Sequence, residues 1–134
     1  MAGWSDFLEN EILDHVFGAA AYTAPATVYV ALFTSAPSDS GGGTEVSGGS
    51  YARVAVTNNA TNFPAASGGA KSNGTVITFP APTANWGTVT HFAIFDAASA
   101  GNMLGWAALS ASRVINSGDG APKFAVGDLD LTLD

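Results

Sequence analysis

The chain has 134 residues, enough for one domain, and its 47% hydrophobic content can build a core without disulfides; with no cysteines, thiolate metal sites and cysteine nucleophiles are excluded as well. Only 11% of the residues are charged, against roughly 25% in an ordinary soluble domain, which describes a weakly hydrated surface that neighbours in an assembly can cover. The net charge of −7 leaves four bases, Arg53, Lys71, Arg113 and Lys123, scattered along the sequence, and this argues against a nucleic-acid partner because phosphate affinity is supplied by Lys and Arg.

The first 18 residues are expected to form one helix followed by a stop. Ser5 is placed to cap it, Asp6 and Glu9 sit at the positive end of its dipole, and Gly18 suits the left-handed residue after the last turn. Trp4, Leu8, Ile12 and Val16 recur at every fourth position as one stripe, while Leu13 and Phe17 point to another side. A helix with two apolar sides needs two partners. These six residues are therefore candidate interface residues, one side facing the chain's own domain and the other a second chain. The alternative is that all six fold into a single core.

After Gly18 the period becomes that of strands. Residues 27–34 (TVYVALFT) are apolar on both faces, with Val28, Val30 and Leu32 on one and Tyr29 and Phe33 on the other, as in a central strand covered on both sides. Residues 51–57, 75–79, 88–95, 103–109, 113–115, 123–126 and 129–133 complete about eight strands, punctuated by Gly, Pro, Asn and Asp. The spacing predicts a mainly β protein: an antiparallel β-sandwich or barrel with one N-terminal α-helix, divided into a helix over 1–18 and a single domain over 19–134. Trp86, Phe92, Phe95, Trp106 and Phe124 belong to the predicted core. So do Leu129, Leu131 and Leu133, which alternate with Asp128, Asp130, Thr132 and Asp134 along the last strand. Of two long connections, residues 35–50 (SAPSDSGGGTEVSGGS) are flexible by composition. Residues 58–73 (NNATNFPAASGGAKSN) are expected to be ordered, because Phe63 inside them must be pinned on something.

The sequence assigns no catalytic residue, metal site or cofactor. His15 and His91 fall in different elements without a second ligand at metal spacing, and Asp128, Asp130 and Asp134 lack the glycine turn and bidentate Glu of a calcium loop. No G-x-S-x-G turn occurs, and residues 68–72 (GGAKS) put Ala70 where a phosphate loop needs glycine. The three Glu, two in the helix and one in a glycine-rich loop, are poorly placed for glycoside hydrolysis. A non-enzymatic protein is expected.

In chain order, residues 7–18 (FLENEILDHVFG), 22–30 (YTAPATVYV), 51–63 (YARVAVTNNATNF), 77–80 (ITFP), 86–97 (WGTVTHFAIFDA), 101–109 (GNMLGWAAL) and 127–134 (GDLDLTLD) resemble small virion proteins of tailed bacteriophages, usually called tail-fibre or minor tail proteins. The resemblance covers nearly the whole chain outside residues 35–50. It implies a structural virion component and carries over no site residues. A single domain without heptads, collagen-like triplets or a β-helical period cannot alone make a long fibre, but it can form a knob on one or a cap on a capsid. Small size, acidity, a low charged fraction and the spare helix side favour a capsid decoration or cement protein on the outer surface. The alternative is a minor tail or short tail-fibre/adaptor protein in host adsorption; a soluble host-side inhibitor is a third class. The expected partners are other copies of the chain, as a homo-oligomer, then phage capsid or tail proteins and, for the tail alternative, a host surface receptor. With acids at the N-terminus and apolar runs far short of the roughly 20 residues of a membrane span, the chain is expected to be made in the host cytoplasm and to end in the virion.

Overall fold

The doubly apolar run and its counterpart near residue 90 form the centre of the main sheet in a computed structural model that describes residues 3–18 and 20–133. The elements in order are β1 (Gly3–Trp4), α1 (Asp6–Val16), β2 (Thr27–Ser35), β3 (Thr44–Glu45), β4 (Val54–Thr57), β5 (Ala70–Ser72), β6 (Ile77–Thr78), β7 (Gly87–Phe95), β8 (Met103–Ile115), β9 (Lys123–Phe124) and β10 (Asp130–Thr132). The main sheet runs β1-β8-β7-β2-β3, with β4 also on β2, and all its pairs are antiparallel. β6 with β9 and β5 with β10 form two small antiparallel sheets. The main sheet stays open, so the stack is sandwich-like rather than a barrel.

The core lies between these layers. Val30, Leu32, Val89, Phe92 and Ile94 come from the main sheet, and Phe63, Ile77, Phe79, Trp86 and Leu129 face them. Phe63 is thus pinned as expected. The opposite face of β2, β7 and β8 carries a second cluster of Ala31, Phe33, Ala93 and Met103, with Phe95 and Trp106 packed against it. That second face explains why β2 is apolar on both sides.

Several expectations need correction. Residues 103–109 and 113–115 form one strand, β8. His91 pairs with Ala108 and Val89 with Arg113, two steps on β7 against five on β8, so residues 109–112 form a wide bulge. Residues 35–50 are folded onto the sheet: β3 pairs with β2, Val46 is buried, and Ser38 bonds back to Gly41. The reversal at Gly43 needs glycine, since φ is +74° and a Cβ there would lie 2.8 Å from Pro37 N and Ser35 O. In the last strand Leu129 is fully buried, Leu131 is half-buried and Leu133 is 54% exposed; Asp134 lies outside the described residues. Among the described residues β10 pairs only with β5, three residues long, so burial fades as the strand leaves the core. Phe95, Trp106 and Phe124 are half-buried, because the first two sit on the outer face and Phe124 borders a groove.

Candidate interaction surfaces

The N-terminal segment is held by its first turn. Ser5 caps α1 by accepting the Leu8 N–H at 3.1 Å, and its own N–H donates to Leu104 O, which fixes the helix start to β8. Phe7 and Leu8 pack on the core, and Phe7 meets Tyr22 edge-on with centroids 6.4 Å apart. The helix ends at Phe17, and Gly18 follows with φ +92°, the left-handed exit expected of it. Tyr22 N–H donates to His15 Nδ1 at 3.0 Å, so the return segment accounts for this histidine.

The structure divides the six candidate interface residues differently from the sequence. Trp4 is not on the helix. It lies in β1 opposite Gly105, and its indole N–H donates to Thr132 O at 2.9 Å, tying the start of the described chain to β10. Leu8 and Ile12 are half-buried. Leu13, Val16 and Phe17 are 55%, 60% and 80% exposed. The expected two sides are thus two ends: the first turn is anchored and the last turn is bare. Ser5, bonded to Leu104, anchors the first turn, and no period in the sequence encodes that bond.

A second surface was missed altogether. The β8 bulge walls a groove of about 460 Å³ whose floor includes Val89, Phe92 and Phe124. Arg113 and Lys123, ten residues apart in sequence, both line it, so two of the four scattered bases converge. Asp128 and Asp130 line it too; Asp128 accepts the Ala125 N–H and so closes its own turn. β1 covers only Gly105 and Trp106 of β8, which leaves the bulge side of that strand without a neighbouring strand among the described residues.

Arg53 is spent inside the fold. Its guanidinium bonds both Glu45 carboxylate oxygens at 2.8 and 2.9 Å, donates to Ala97 O and Ala100 O, and stacks 3.7 Å from the Phe95 ring centre. Tyr51 donates to Glu45 and accepts the Leu32 N–H, so β2, β3 and the β7–β8 turn are clamped together. Burial, with the Glu45 carboxylate adding to it, pushes the Tyr51 hydroxyl far above its ordinary range, against the Leu32 N–H and Arg53. Near α1, burial raises the Tyr22 hydroxyl, and Asp96 and Glu11 raise it further. His91 bonds Thr90 through Nδ1 at 2.8 Å and packs on Trp106. The described residues hold no group of three or more His, Cys, Asp or Glu able to grip a metal, and no helix among them is long and apolar enough to cross a membrane.

A family model described as podophage GP4 fiber I protein gp80 matches residues 3–132, which is nearly the whole chain. The chain belongs to this phage fiber family. Membership makes it a structural component of a phage virion, in agreement with the resemblance read from the sequence. Comparison with curated proteins gave no match. The matched span takes in α1 and the β8 groove, so both surfaces are part of the fiber-family domain.

Proposed function

We propose that the chain is a non-catalytic component of the phage tail fibre, attached to the virion through the last turn of α1. The match to a fiber family over residues 3–132 carries this reading and favours the tail over capsid decoration, the location that size and acidity alone suggested. The attachment role is supported by the exposure of Leu13, Val16 and Phe17, since full burial of each such side chain is worth about 1.5–3 kcal/mol. Large apolar side chains grouped on a surface commonly mark a contact. The apolar second face of the sheet is already largely covered by its own aromatic side chains, which makes α1 the better candidate.

Immunogold labelling of purified particles tests the location, with label expected at the tail and not over the shell. The attachment is tested with full-length Leu13→Asp/Phe17→Asp protein added to particles assembled without the chain. Point variants suit this test better than truncation, because Trp4 and Ser5 also hold β10 and β8. Loss of particle binding with an unchanged circular dichroism spectrum is expected. Unchanged binding would place the contact elsewhere on the domain.

A further inference from the structure

α1 and the β8 groove differ in charge: the helix is acidic, and the groove brings together two of the four bases of the chain. The helix carries Asp6, Glu9, Glu11 and Asp14 and no Lys or Arg. Two more acids lie close: Asp39, whose carbonyl accepts the Asp6 N–H, and Asp96, which acts with Glu11 on Tyr22. Two such helices would repel each other if they paired face to face. In the groove, Arg113 and Lys123 form no ion pair among the described residues, where the one such pair is Arg53–Glu45. Two bases against Asp128 and Asp130 make the groove lining neutral in a molecule of net −7, and one of those acids is engaged in its own turn. The groove, at about 460 Å³, has room for an aromatic side chain with an aliphatic neighbour, and Val89, Phe92 and Phe124 lie among its mostly polar lining.

We propose that α1 of one copy seats Phe17 and its neighbours Leu13 and Val16 in the β8 groove of the next copy, a head-to-tail contact between copies of this chain. The inference rests on the reading of α1 as an attachment element and names its partner. Because the two surfaces differ, each copy keeps one of each free after pairing, and the contact repeats until it closes into a ring or continues as a filament. Repetition of this kind gives a small domain without internal repeats a way into an extended assembly.

The test is sedimentation of the full-length protein at several concentrations, with two variants whose changes fall on exposed residues. Leu13→Asp/Phe17→Asp spoils the helix surface, and Arg113→Glu/Lys123→Glu spoils the groove surface. The wild type should self-associate, and raising the salt from well below to well above physiological should weaken that association. Each variant alone should be a monomer. Mixed in equal amounts they should form a dimer and nothing larger, since one intact helix then meets one intact groove. A wild type that stays monomeric, a groove variant that still associates, or a mixture that stays monomeric overturns the proposal. Should one of these occur while the helix variant still loses particle binding, α1 remains the attachment element and self-docking alone fails.

Discussion

Asn73→Asp replaces one atom in the side chain on which the C-terminal segment hangs. Asn73 is 2% exposed. Its amide donates to Thr75 O at 2.8 Å and Ala125 O at 2.9 Å, its side-chain oxygen accepts the Leu129 N–H at 2.9 Å, and its backbone carbonyl accepts the Gly127 N–H. The substitution keeps the shape and turns both donors into an acceptor facing two carbonyls. Leaving a buried acceptor unsatisfied costs about 1–3 kcal/mol, so two part-buried carbonyls and a confined charge should remove about 2–5 kcal/mol at neutral pH. That is a large share of the roughly 5–15 kcal/mol that holds a typical domain together. Burial must raise the new carboxyl above its unfolded value of about 4. A group with a raised folded pKa contributes stability that is present below the unfolded value and lost as pH rises through the folded one. The deficit against wild type should therefore shrink near pH 4, where a protonated carboxyl can again donate one bond. Urea titrations followed by tryptophan fluorescence at pH 4 and pH 7 measure both numbers. A deficit below about 1 kcal/mol at pH 7, or one that is no smaller at pH 4, would refute the assignment of Asn73 as the satisfied hub of this segment.

Three further outcomes follow from the same physics. Leu129→Ala should cost about 2–5 kcal/mol and Leu133→Ala less than about 0.5, by thermal or urea unfolding, because the first is fully buried and the second 54% exposed. Arg53→Lys should lose most of the stability that Arg53→Ala loses, about 3–5 kcal/mol, since an ammonium cannot bond both Glu45 oxygens, reach two carbonyls and stack on Phe95; equal stability of the Arg53→Lys variant and wild type by urea unfolding would refute this. Stability should fall as pH rises above about 10, where the unfolded chain releases the tyrosine proton that folded Tyr51 retains; this slope should flatten in Tyr51→Phe, which should also cost about 1–3 kcal/mol at pH 7 by orphaning the Leu32 N–H.

By itself the sequence determined what depends on neighbours in the chain. Ser5 as cap, Gly18 as exit, the strands of β2 and β7, and the pinning of Phe63 were legible because capping, chirality and apolar period act within a few residues. Family kinship was legible too, from ordered segments spread over the chain. The tertiary structure decided everything that depends on which distant residue arrives. Residues 35–50 read as free chain until Glu45 met Arg53 and Val46 met the core, and Asn73 read as a polar loop residue until Ala125 and Leu129 closed on it. Leu133 keeps the alternation of its strand and still faces water, because a period fixes which side a residue points to and not whether anything covers that side. Arg113 and Lys123 look scattered in the sequence and share a groove in the fold, where the β8 bulge and the β9 segment bring them together. Likewise the contacts of the first turn, the bond from Ser5 to Leu104 and the packing of Phe7 and Leu8 on the core, decide which end of α1 the domain keeps and which it leaves exposed.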